Sequence, residues 1–346
     1  VFATNVLRGK NFLKPGQVVL TFDDGPSTFT RGLARYLENK NIPAVYFMVH
    51  HNRDKRDFTI FLDEPTGQHT AKDVCALKGQ TVASHGDKHT MRANNPSDLH
   101  DVTLALSNLC PRPYYFMRFP GGIWNSSDKS ALNSTPIPEL GINYGEIYIG
   151  AVNWDVTGED WSSGCQSDVN RCRDSYIKKT VGNDKDRCKG GIILLHDIYP
   201  STMELVLGSG WQRMLEDPTL PLADDSMLKR LQRASCEIVS LDTSDNIEAL
   251  LGTSDVPIEG SAKAKSASSR LKSKDVLSIA LTDSQKCDIP IGASFRYERR
   301  PQSTVGTYIR AVLTELPQNL KCSGEFQVGK TVYFQPDEFA ITSNRK

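Results

Sequence analysis

Two aspartates side by side, Asp23 and Asp24, end the apolar run VVLTF (18–22) and precede the turn Gly25-Pro26. Like charges at one strand end repel, so the pair implies a cation beside it, either a metal or a basic side chain. The chain supplies both. His85 and His89 stand four apart in SHGDKH, just after the run QTVAS, and with Asp24 they form a two-histidine, one-carboxylate set with open coordination positions. Arg118 of MRFPGG follows YYFM. An arginine beside Asp23 would hold that carboxylate ionised, and Pro120-Gly121-Gly122 bends the backbone so that the Gly121 N–H is accessible to an oxyanion. Asp155, Asp160 and Trp161 follow YIGAV, and His196-Asp197 closes GIILL. A histidine at a strand end with a carboxylate partner stays protonated at neutral pH and serves as a general acid.

These groups need a frame that gathers them. The runs VVLTF, PAVYFMV, QTVAS, YYFMRF, YIGAV, GIILL and CEIVSL recur at intervals of about 30 to 45 residues, as repeated strand-and-crossover units do. Helical patterns lie between them, such as Leu99, Val102, Leu106 and Leu109 after a Ser97 cap, and Val169, Cys172 and Ile177. Alternation of this kind predicts an α/β fold with a parallel sheet, open or closed into a barrel. Each polar group then falls on the rim at the carboxyl ends of the strands, where sites of parallel α/β folds lie.

The stretch 254–274 is rich in small and basic residues without apolar periodicity and reads as a linker. It separates a domain at 1–253 from short strand candidates at 275–346, DVLSIAL, ASFRYER, TYIRAVL and VYFQP, which form a small all-β module with Cys287 and Cys322 as a possible bridge. In that module Tyr297, Tyr308, Tyr333 and Phe334 are either a stacking surface for sugars or its core.

Lys+Arg and Asp+Glu number 41 each, so no global field draws the chain to nucleic acid or an anionic membrane. A neutral substrate suits that balance. No run has the apolar length of a membrane span, and any signal peptide is expected to be gone already. The eight cysteines show no CxxC pair, which favours disulfides in an oxidising compartment over structural zinc.

TFDDGP (21–26), His85-x3-His89, RFP (118–120) with its glycines, Asp160-Trp161 and LLHD (194–197) resemble, in order and spacing, the NodB-homology polysaccharide deacetylases of carbohydrate esterase family 4, over about residues 14 to 250. The resemblance implies a distorted (β/α)7 barrel with a divalent metal, zinc first and Co2+, Mn2+ or Ni2+ as alternatives, that removes acetyl groups from N-acetylated sugars. Carried over by motif, Asp23 is the general base, Asp24, His85 and His89 the metal ligands, Arg118 the tether of the base, and His196 the general acid oriented by Asp160. Trp161 and Leu194 line the slot for the acetyl methyl, with Pro120 and Gly121 also at the substrate. The partner implied is an N-acetylated glycan polymer, peptidoglycan ahead of chitin-like material, outside the cytoplasm. No nucleic-acid partner is expected, and no protein partner is indicated.

Three positions depart from the family pattern, one of them Thr157, which stands where an acidic residue is common while Asp160-Trp161 remains. Gly86 stands where Ser or Thr is usual and Gly121 where an aromatic is usual, which predicts a weaker second shell around the metal and a wider groove. A non-haem iron oxygenase would use the same ligand set, but the βα alternation disfavours it. A glycosidase using Asp23 and Asp24 would need both carboxylates on one bond, whereas neighbours on a regular strand point apart. A non-catalytic wall-binding protein on this scaffold would have lost the base, a ligand or the acid, and all are present.

Overall fold

The computed structural model describes residues 3–51, 58–90, 96–112, 114–182, 188–243, 258–265, 270–272, 286–290, 293–299, 304–305, 308–316, 326, 331–334 and 339–345. The strands up to residue 243 are β1 (Ala3–Leu7), β2 (Gln17–Gly25), β3 (Ala44–Met48), β4 (Gln80–Ser84), β5 (Tyr115–Phe116), β6 (Pro136–Ile137), β7 (Ile142–Asn143), β8 (Tyr148–Val152), β9 (Gly191–His196) and β10 (Glu237–Ile238). The strand β2 is central, with β9 on one side and β3 then β4 on the other, while β10 pairs its first residues. A second set runs β1-β8-β5, and β6 pairs β7 as a small antiparallel hairpin. All pairings but the hairpin are parallel.

Two parallel bridges, Ser84 to Met117 and Val156 to Ile193, link the sets into a ring, the expected distorted α/β barrel. Strand alternation sorts its apolar residues into two cores. Val19, Val45, Phe47, Phe116, Ile149, Val152 and Ile192 fill the interior. Their neighbours Val18, Leu20, Phe22, Tyr46, Ile193 and Leu195 face outward into a larger cluster shared with the helices. Burial on both faces explains why these strands are continuous apolar runs. Thr21, Asp23, Leu194 and His196 share the inward parity and finish the interior at the carboxyl ends of β2 and β9.

The expected helices are present as His100–Leu109 and Val169–Val181. The first starts after a 3-10 turn at Pro96–Leu99, and Asp87, rather than Ser97, caps it: the Asp87 carboxylate accepts from Asp101 N at 3.1 Å and Val102 N at 2.7 Å. Disulfides join Cys75 to Cys110, Cys165 to Cys172 and Cys188 to Cys236. Cys287 is also disulfide-bonded, and Cys322 lies outside the described residues. No helix among the described residues is long and apolar enough to cross a membrane.

The later strands are β11 (Ile258–Ala264), β12 (Arg270–Lys272), β13 (Lys286–Asp288), β14 (Ser294–Arg299), β15 (Thr304–Val305), β16 (Tyr308–Glu315), β17 (Thr331–Phe334) and β18 (Phe339–Arg345). They form one antiparallel sheet, ordered β13-β12-β17-β16-β14-β11-β18 with β15 on β16. Two of them lie inside the expected 254–274 linker, and β11 pairs on both sides. Its inward residues Ala262 and Ala264 are too small to give an apolar signature, which is why the stretch resembles a linker in sequence. Tyr297 and Phe334 belong to the sheet's own buried cluster, so they are core and not a sugar-stacking surface. The side chains of Tyr308 and Tyr333, and the candidate strand DVLSIAL, lie outside the described residues.

Candidate active site

The two aspartates converge because the strand is irregular where they sit. Asp23 faces Phe47 and Gly25 faces Met48 across β3, so Asp24 is an extra residue in the register, held at φ 71 in the left-handed region that Asp tolerates better than most. The next peptide, Gly25-Pro26, is cis. Both carboxylates therefore reach one imidazole: His85 Nε2 lies 3.6 Å from Asp23 Oδ2 and 3.2 Å from Asp24 Oδ1. The expectation that these neighbours point apart fails at this bulge.

Asp24, His85 and His89 place one ligand atom each within 4.8 Å of one another. His89 Nε2 is 2.9 Å from Asp24 Oδ1, with His89 itself at φ 50. His85 Nδ1 lies 2.8 Å from the carbonyl of Arg118 and donates to it, which leaves Nε2 directed at the carboxylates. Asp24 Oδ1 is buried and makes no hydrogen bond. An orphaned carboxylate oxygen between two imidazole nitrogens suits a divalent cation, so the residues present fit the metal that the motifs imply. Burial opposes the charge on Asp24, yet His85, His89 and the nearby His196 outweigh it and hold this carboxyl well below its ordinary range.

Asp23 belongs to a second arrangement. Arg118 is fully buried, and its Nη1 donates to Asp23 Oδ1 at 2.6 Å and to Thr21 Oγ1 at 2.9 Å, while Nε donates to the Val152 carbonyl at 2.7 Å. Its guanidinium lies 4.2 Å from the Phe47 ring centre and 5.6 Å from that of Trp154. Arg118 thus caps the interior and pairs with Asp23 where water cannot screen the pair. Beyond it, Pro120 is buried and Gly121, at φ 67, is exposed on the turn. Among the described residues no hydrogen bond is found for the Gly121 N–H.

A third arrangement surrounds His196. Its Nδ1 is 2.9 Å from Asp160 Oδ1, and its backbone N–H donates to Asp160 Oδ2 at 2.8 Å. Thr202 Oγ1 donates to Asp160 Oδ2 at 2.7 Å, and the Tyr176 hydroxyl, 3.2 Å from Oδ1, shares its proton with the Leu194 carbonyl. Burial works against an imidazolium here, but the charge and hydrogen bond of Asp160, with Asp24 and Asp23 beyond, push His196 up to about 9. The ring of Trp161 stands edge-on to it at 5.1 Å and is 40% exposed. Leu194 shares the inward side of β9, held through its N–H to the Val156 carbonyl and its carbonyl to Tyr176 OH.

Other rim candidates fall elsewhere. Asp155 is not at the rim: its Oδ2 accepts from Gly9 N at 2.7 Å and Ile192 N at 2.9 Å, at the start of β9, the end away from His196. Asp197 is buried below the site with its carboxyl on the Thr30 hydroxyl, and burial pushes that carboxyl up to about 7. It is Asp160, not the adjacent Asp197, that partners His196. His51, which follows β3, pairs with Asp63 at 2.6 Å. Gly86 sits at φ 88, so the departure from Ser or Thr comes with a backbone that favours glycine.

Thr21, Tyr176, Thr202 and Tyr199, whose ring is 6.3 Å from that of His196, were not singled out by sequence. Thr21 was legible from its parity with Asp23 on β2. Tyr176 and Thr202 come from separate helices and carry no local signal.

The polysaccharide deacetylase family model matches residues 10–139. The resemblance to these deacetylases, hydrolases of the amide bonds of N-acetylated sugars, is thereby borne out over residues 10–139, a span that holds Asp23, Asp24, His85, His89 and Arg118 and stops short of Asp160 and His196. No curated protein matches. Among solved structures, the chitin deacetylase of the fungal pathogen Colletotrichum lindemuthianum is similar at 18% identity and TM-score 0.46, covering 72% of this chain and 92% of that one. The catalytic domain of peptidoglycan N-acetylglucosamine deacetylase from Eubacterium rectale is similar at 19% and 0.40, covering 64% and 94%. A family 4 carbohydrate esterase from Streptomyces lividans is similar at 21% and 0.37, covering 58% and 86%.

Proposed function

We propose that the α/β part of the chain hydrolyses the acetamide of N-acetylated sugars in a cell-wall polysaccharide, peptidoglycan N-acetylglucosamine ahead of chitin-like polymers. The observation that carries this is the meeting, on one rim, of the Asp24–His85–His89 trio with the Asp23–Arg118 and His196–Asp160 pairs. Asp24, His85 and His89 would hold a divalent cation, zinc first, which when bound supplies acidification of a water and stabilisation of negative charge. Asp23, paired with Arg118, accepts the proton of the attacking water. The Gly121 N–H donates to the oxyanion that forms on the acetyl carbon. His196, already an imidazolium on Asp160, gives its proton to the departing amine. Trp161 and Leu194 bound the acetyl methyl beside it.

The preference for a wall polymer rests on the disulfides, which suit an extracytoplasmic enzyme, and on the separate β-sheet after residue 258. We place the catalytic domain at 1–253 and assign the sheet as an accessory module that tethers the enzyme to insoluble substrate.

Peptidoglycan fragments and chitooligosaccharides, each with zinc or chelator, are compared by mass spectrometry for loss of acetyl groups. Zinc-dependent loss that disappears in Asp23→Asn is expected, with peptidoglycan the better substrate. Binding is read apart from turnover: excess zinc raises the unfolding temperature of the wild type and not of a His85→Ala/His89→Ala variant, since a ligand at about 100 times its Kd adds about 2.7 kcal/mol of stability. Folded protein that gains no stability from zinc and releases no acetate would favour a non-catalytic binding role.

A further inference from the structure

Three large apolar side chains are exposed among the described residues: Phe58 at 37%, Ile123 at 36% and Trp161 at 40%. All three lie on connections that leave the carboxyl ends of barrel strands, after β3, β5 and β8, the end that also carries the Asp24–His85–His89 trio. Trp161 beside His196 and Ile123 beside the Gly121 turn adjoin the site already described. Phe58 has no role there.

Its position is fixed by backbone pairing. The segment leaving Asp24 outward, Pro26–Thr28, runs antiparallel to 58–60: Thr28 N donates to the Phe58 carbonyl at 2.9 Å, Ile60 N donates to the Pro26 carbonyl at 2.9 Å, and Ser27 bridges Thr59. Phe58 is therefore opposite Thr28, which is itself four residues, at most about 14 Å of extended chain, from Asp24. Beneath it, the ring of Phe29 lies 4.9 Å from that of Phe58, and the Trp211 ring meets Phe29 edge-on at 5.6 Å. Phe29 and Trp211 are half-buried against the large outer core, so Phe58 is an exposed ring on a packed aromatic base. An exposed ring on a packed aromatic base at the rim suits the C–H face of another sugar ring.

We propose that Phe58, supported by Phe29 and Trp211, is a stacking subsite for a sugar remote from the one being deacetylated, so that the domain engages its glycan as an oligomer. This rests on the deacetylase reading given above and adds a direction to it, with the chain running from the His196–Trp161 side across Asp24 toward Phe58.

The test is the dependence of kcat/KM on chain length for N-acetylglucosamine oligomers from dimer to hexamer, in the wild type, Phe58→Ala, Phe58→Leu and Phe58→Tyr. Efficiency in the wild type and Phe58→Tyr is expected to climb with length. Both Phe58→Ala and Phe58→Leu should lose about fivefold to tenfold on the longest oligomer and nothing on the dimer, the effect of one aromatic contact. Leu keeps the apolar cover over Phe29, so its failure isolates the flat ring face from folding. Equal length dependence in wild type and Phe58→Leu overturns the proposal. If no protein releases acetate, titration of tryptophan fluorescence with hexamer decides: tighter binding by wild type than by Phe58→Leu upholds the subsite while the hydrolytic reading fails, and equal binding overturns it.

Discussion

Asp160 is the residue on which the acid role proposed for His196 depends. It accepts from Thr202 and from both the ring and the backbone of His196, with the Tyr176 hydroxyl shared between it and the Leu194 carbonyl, and its charge is the main one favouring the imidazolium. An amide in its place presents an N–H2 group where donors must be accepted. His196 has its proton affinity raised, so the active, protonated form is complete below its ordinary range and is lost as pH rises through about 9. In Asp160→Asn the alkaline limb of the kcat/KM profile is expected to move down toward about 6.5, with activity at neutral pH reduced about a hundredfold or more. A pH-rate profile checks both, and an unmoved limb would assign the limb to another group. This pairing was only half legible in sequence. The residues alone left His196 between Asp160 and the adjacent Asp197, and it was the family resemblance that assigned it Asp160, the carboxylate the fold brings to it.

At the scale of elements, the site is made by strand ends that break the regular pattern. The runs VVLTF, QTVAS and GIILL identified β2, β4 and β9 because strands buried on both faces have no choice but apolar side chains. What they could not reveal was the bulge at Asp24, since one inserted residue leaves the hydrophobic pattern before it unchanged. The same limit misplaced Asp155, which follows β8 in sequence but turns back to the start of β9. Gly86 gives a test at this scale. At φ 88 it lets the chain turn between His85 and the helix-capping Asp87, and an added Cβ would stand 3.4 Å from the Asp98 carbonyl. Gly86→Ser, although it restores the residue type usual in the family, is expected to cost about 1–2 kcal/mol, lower the unfolding temperature by several degrees, and leave zinc affinity no better. Calorimetry with and without zinc distinguishes this from the gain that a simple second-shell repair would give.

At the scale of the molecule, the cysteine bridges differ in what they enclose. Cys165–Cys172 spans 7 residues and Cys188–Cys236 spans 48, so on chain-entropy grounds their removal is expected to cost about 2 and about 4 kcal/mol respectively. Denaturant titration of the two Cys→Ala pairs should preserve that order. The even cysteine count suggested bridges, but their pairing was not legible, because it follows from how β9 and β10 come together at the start of β2. The longer bridge has a further result for a protein exposed to proteases. A single cut in the exposed turns between the helices of 200–233 leaves the carrier of His196 still fastened to the rest through sulfur. Such a nicked molecule would stay whole under oxidising conditions, and would come apart into separate pieces only when reduced and unfolded together.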